Sequence, residues 1–60
     1  MWVKAGDIVV HKKYGMGKIL KADNINKVYA VRFDHETYVF GGSKVKEITL
    51  LQEKEWKIIL

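Results

Sequence analysis

The sequence predicts an all-β protein: a single small barrel of five short strands, closed or nearly closed, followed by a brief C-terminal extension. Three observations lead there. Short runs of β-branched and aromatic residues recur between glycine- and Asx-rich turn signals. No interior stretch carries the apolar spacing of an amphipathic helix. The chain has 60 residues and no cysteine, so its core is thin and no disulfide braces it. Closing the sheet on itself would hide the strand edges that such a small domain otherwise leaves open.

The elements follow in order. Gly6-Asp7 reads as a turn feeding a first strand over residues 8–11, which is rich in β-branched side chains. Gly15 and Gly17 flank Met16 and allow a sharp reversal into the second strand, with Tyr14 folding over the open end of the barrel. That strand runs over 18–22 and stops at Asp23-Asn24-Ile25-Asn26, a dense turn signal. The third, over 27–33, is the clearest: Tyr29, Val31 and Phe33 alternate with Val28, Ala30 and Arg32. Asp34-His35-Glu36 is a tight polar connection to a fourth strand over 37–40. The pair Gly41-Gly42 suggests that this strand is bulged or shortened. Residues 43–46 form a single tight turn, of 3₁₀ kind, before a last strand over 47–51. Val9, Ile19, Tyr29, Val31, Phe33 and Ile48 form the expected core.

The barrel thus spans about residues 6–51, and the extension covers 52–60. That extension ends in Ile58-Ile59-Leu60, and leaving large apolar side chains in water costs about 1.5–3 kcal/mol each. Docking against the body is expected, with Trp2 as a candidate contact.

Composition narrows the function. Eleven Lys and Arg against seven Asp and Glu give a formal charge of +4, which favours an acidic protein surface or nucleic acid. A hydrophobic fraction of 48% argues against disorder. The lack of cysteine suits a reducing, cytoplasmic setting. No signal-peptide pattern opens the chain, and no run approaches the roughly 20 apolar residues that span a bilayer.

Catalytic and metal chemistry find little footing. His11 and His35 are the only histidines and, without cysteine, make no zinc site of the usual spacing. His11 is expected to pack beside Tyr14 or to bond a loop carbonyl. Asp34-His35-Glu36 reads as a solvated turn, because three consecutive loop residues seldom converge on one ion. Ser43 lacks a nucleophile elbow. Gly15-Met16-Gly17-Lys18 lacks the hydroxyl residue and the helix that a phosphate loop needs. No catalytic residue, cofactor, metal or small-molecule substrate is expected, and the chain reads as a non-enzyme.

The segment Gly6-Asp7-Ile8-Val9-Val10-His11-Lys12-Lys13-Tyr14-Gly15-Met16-Gly17-Lys18-Ile19 resembles the opening of the small Tudor-like domain at the C-terminus of UvrD and PcrA helicases. It is also similar to the RNA-polymerase interaction domain of CarD regulators and the transcription-repair coupling factor. Val31-Arg32-Phe33 matches the middle strand of those domains, and Ser43-Lys44-Val45-Lys46-Glu47-Ile48 their tight turn and last strand. The resemblance implies an SH3-like or Tudor-like barrel that docks on RNA polymerase or another protein of nucleic-acid processing, in transcription or repair.

Docking of that kind would use an exposed strand edge with neighbouring side chains for selectivity. The candidate partner-binding residues are Lys12 and Lys13 in the first loop, Lys18 and Lys21 on the second strand, and Arg32 on the third. Arg32 leads, as the only arginine and one able to fork onto a carboxylate or phosphate. Direct DNA or RNA binding through a basic sheet face is the alternative, though most rings alternate inward rather than forming a stacking platform. An aromatic cage built from Tyr14, Tyr38 and Asp34 is the weakest reading, since nothing in the sequence makes those residues converge.

Overall fold

The computed structural model describes residues 1–51 of the chain, so the expected docking of the extension 52–60 lies outside the described residues. Among the described residues five strands form: β1 (Ile8–His11), β2 (Gly15–Asp23), β3 (Val28–Arg32), β4 (Thr37–Gly41) and β5 (Ile48–Leu50). They make one sheet in the order β4-β3-β2-β1-β5, with every neighbouring pair antiparallel. A 3₁₀ helix, Gly42–Glu47, joins β4 to β5. The protein is all-β. Among the described residues no helix is long and apolar enough to cross a membrane.

The sheet curls strongly. Three strand spacings of about 4.8 Å would hold β1 and β4 roughly 14 Å apart in a flat sheet. Instead, the rings of His11 on β1 and Phe40 on β4 have centroids 5.3 Å apart. The inner faces of the two strands therefore meet around a shared core. The backbone ladder itself stays open among the described residues, with β4 and β5 as its two ends. The 3₁₀ helix packs on β3, β4 and β5 across that gap.

All six expected core residues are buried: Val9, Ile19, Tyr29, Val31, Phe33 and Ile48. Phe40 and Val3 join them. Phe40 follows from the alternation of β4, in which Tyr38 and Phe40 share the inner face. Val3 belongs to no strand. It is held by the Asn24 side chain, whose Oδ1 accepts from the Val3 amide at 2.9 Å while its Nδ2 donates to the Val3 carbonyl at 2.7 Å. One amide side chain thus pairs with this residue as a neighbouring strand would.

Two readings of the glycines need correction. Strand β4 runs through Gly41 in unbroken register with β3. The irregularity sits in β2, between Ile19 and Lys21. An extra residue, Leu20, enters there, which is why the inward positions Ile19 and Ala22 are three apart rather than two. The reversal between β1 and β2 occupies residues 12–14, with His11 paired to Gly15, so Gly15-Met16-Gly17 already lies in β2. Gly15 has the left-handed backbone expected of it, at φ 78°. Gly17 serves another end: a Cβ there would stand 2.7 Å from side-chain atoms of both Phe33 and Val31. It is needed for close approach, not for turning.

Candidate functional site

The outer face of β2, β3 and β4 carries three of the five candidate residues. Lys18 pairs directly with Arg32 across the β2–β3 ladder, and Arg32 pairs in turn with Thr37 on β4. The next row is Lys21, Ala30 and Val39. The bulge at Leu20 is what returns Lys21 to the outer face three residues after Lys18. Lys18, Lys21 and Arg32 are all exposed. Beside them, Leu20, Val28 and Val39 leave much of their apolar surface in water, Val39 at 65%.

Two features mark this face. Like charges directly opposite one another destabilise a sheet, yet Lys18 faces Arg32. Among the described residues the carboxylate contacts of basic side chains are Lys4–Asp7 and His11–Glu47, so neither cation is compensated by one. A shallow groove of about 380 Å³, lined by Lys21, Asp23, Asn26, Val28, Ala30 and Val39, runs beside this row.

The edge strand adds the backbone. The Phe33 amide donates to the Glu36 carbonyl at 2.9 Å, which makes that pair the hydrogen-bonded end of the β3–β4 hairpin. Hydrogen-bonded and non-hydrogen-bonded pairs alternate along an antiparallel ladder. Thr37, Val39 and Gly41 therefore turn their N–H and C=O groups away from β3. Among the described residues, an exposed apolar side chain and outward backbone groups thus lie on the β4 edge, with the Lys18–Arg32 pair on the adjoining outer face of β2 and β3.

Lys12 and Lys13 stand elsewhere. Both are exposed in the β1–β2 turn, and the structure does not bring them into the Lys18–Arg32 row. The Lys13 ammonium is 5.8 Å from the centroid of the Tyr14 ring.

That ring belongs to a cluster that the sequence did not predict to converge. Tyr14 stacks on His11 at 4.4 Å and on Tyr38 at 4.5 Å, with the two tyrosine planes only 4° apart. Two rings stacked this closely on a third must lie on its opposite faces, so Tyr14 is the middle of a three-ring pile. Phe33 and Phe40 lean against it at a tilt. The pile sits on His11, which is buried and fixed by its own bonds. Its Nδ1 accepts from the amides of Lys13 and Tyr14 at 2.9 and 3.2 Å, and its Nε2 meets Glu47 Oε1 at 3.0 Å. The two amides assign the proton to Nε2, which donates to Glu47. The expected packing beside Tyr14 is present; the expected bond to a loop carbonyl is replaced by two backbone amides and a carboxylate.

Tyr14, Phe33, Asp34, His35, Glu36 and Tyr38 line a recess of about 240 Å³. The Tyr38 phenol is pushed up to about 12, first because the neighbouring Glu36 carboxylate holds its proton, then through partial desolvation and the Tyr14 hydroxyl. Among the described residues, no three metal-ligating side chains gather.

No family of known proteins, no curated protein and no solved structure matches this chain.

Proposed function

We propose that this chain is a non-catalytic recognition module that docks a protein partner through the β4 edge and the adjoining outer face. RNA polymerase, or another protein that processes nucleic acid, is the partner to which its resemblance points, and a cytoplasmic setting goes with that reading. The observation that carries the proposal is the Lys18–Arg32 pair across β2 and β3, without an ion-pair partner among the described residues, next to the exposed Val39 of β4, whose outward N–H and C=O groups can accept another strand. A partner segment laid along Thr37–Gly41 would gain backbone hydrogen bonds. Its apolar side chains would cover Val39, and a carboxylate would relieve the repulsion between Lys18 and Arg32.

The test is direct binding of the full chain to nuclease-treated, purified bacterial RNA polymerase. Arg32→Glu should weaken binding about tenfold or more, the scale of one charged hydrogen-bonded contact. Val39→Pro should weaken it as well, because it removes an outward amide and leaves the β3–β4 ladder intact. Binding that disappears on nuclease treatment, or ignores both substitutions, would sink the reading.

A second reading, direct contact with nucleic acid, draws on the same cation pair. Its mark would be affinity falling steeply with salt. The burial or mutual stacking of Tyr14, Tyr29, Phe33, Tyr38 and Phe40 weighs against it, since these five rings offer no open stacking platform beside the cations.

A further inference from the structure

We infer that the recess between the β1–β2 turn and the β3–β4 hairpin is a separate binding site for the guanidinium of an arginine side chain carried by a protein partner. It goes beyond the docking face described above, and its chemistry has the opposite sign.

The recess gathers two carboxylates against aromatic walls in a chain of net charge +4. Asp34 and Glu36 are exposed on the two-residue turn and its flank. The ion pairs among the described residues involve neither of them. Lys13 rests by the Tyr14 ring and, among the described residues, pairs with neither carboxylate. Asp34 also borders a second recess that includes Lys18 and Arg32; Glu36 lines the aromatic recess alone, and it is the carboxylate on which recognition turns. His35, between the two acids, and the phenols of Tyr14 and Tyr38 are the other titratable groups of the described residues that line the space.

The shape selects among cations. Tyr14 and Tyr38 lie in parallel contact at 4.5 Å, which leaves no slot between them for a bulky alkylammonium. A flat cation can instead lie against the outer surface of the pile. A guanidinium does so while offering a planar fork to a carboxylate, and its weak hydration makes the transfer inexpensive. The Tyr38 phenol is neutral at physiological pH, its value raised further by Glu36, and adds no competing anion to the site.

The experiment is an NMR titration of the full chain with the capped tripeptide acetyl-Gly-Arg-Gly-amide. The same peptide with citrulline, a neutral isostere, and with lysine are the controls. The arginine peptide should give saturable shifts confined to Tyr14 and residues 33–38, and should bind about tenfold more tightly than the citrulline peptide. Lysine should fall between them. Glu36→Gln, a conservative change on an exposed turn, should bring arginine down to the citrulline level while leaving the rest of the spectrum in place. Equal binding of arginine and citrulline, no saturable shift, shifts centred on β2 and β3, or an unaltered arginine preference in Glu36→Gln would each overturn the inference. No polymerase is present in this assay, so its outcome is independent of the docking proposal.

Discussion

His11 is the buried polar side chain among the described residues, and every one of its polar atoms has a partner. Its Nδ1 closes the β1–β2 turn by taking two backbone amides, its Nε2 reaches Glu47 at the far end of the 3₁₀ helix, and its ring carries Tyr14. Replacing it by Phe separates these roles, because the ring stack survives while three hydrogen bonds are lost. Two amides and a carboxylate left without partners should cost about 1–3 kcal/mol, softened where water can reach the turn. His11→Phe is thus expected to lower the denaturant midpoint at unchanged slope, with Tyr14 and Tyr38 still stacked by near-ultraviolet circular dichroism. A variant as stable as the parent would mean that the imidazole serves only as a packed ring.

At the scale of elements, β2 shows most clearly what the sequence could and could not reveal. The alternation of Tyr29, Val31 and Phe33 exposed β3 at once, because a half-buried strand has a period of two. The same rule, applied past Lys18, runs into Ile19-Leu20-Lys21-Ala22, where the period slips. The odd spacing from Ile19 to Ala22 was the legible trace of the bulge, whereas Gly41-Gly42 was a misleading one. Gly17 is harder, since its sequence context looks like a turn and only the packing of Phe33 and Val31 shows why a side chain is excluded. The cross-strand meeting of Lys18 with Arg32, and the tyrosine pile, depend on register and curl, which no local pattern encodes. Gly17→Ala tests the distinction. Overpacking against two buried side chains should cost about 1–3 kcal/mol and disturb the aromatic near-ultraviolet signal. Gly15→Ala meets no atoms within 4 Å and should cost about 1–2 kcal/mol from its left-handed backbone alone, with that signal intact. The opposite ranking of the two signals would contradict the close-approach role of Gly17.

At the scale of the whole molecule, the chain before β1 is outside the sheet yet part of the core, and two carboxylate-closed turns brace it from either side. The Asp7 side chain accepts the Lys4 amide and pairs with the Lys4 ammonium, both at 3.0 Å. In addition, Gly6 and Asp7 exchange backbone bonds with Ile19 at 2.8 Å. Asp23 closes the β2–β3 turn by accepting the Asn26 amide at 3.0 Å and its side-chain amide at 2.9 Å. That turn carries Asn24, the partner of Val3. Tyr29 completes the arrangement by donating its hydroxyl to the Met1 carbonyl at 3.2 Å. Amide donation to the charged form holds both carboxyls below their ordinary 3.8, at Asp7 chiefly from Lys4 and at Asp23 chiefly from Asn26. A carboxyl depressed by folding contributes stability that is complete above its unfolded value and is lost as pH falls through its folded one. The thermal midpoint should therefore change little through neutral pH down to about 5, then fall on acidification below about 4. Asp7→Asn and Asp23→Asn should each lower the neutral midpoint and flatten the acid limb, because a neutral amide cannot be protonated out of its bonds in that range. Both turns are exposed to solvent, so each effect is small, and the double variant should show the flattening most clearly. A midpoint that rises as pH drops from 5 to 3 would show that these turns do not tie the leading segment to the core.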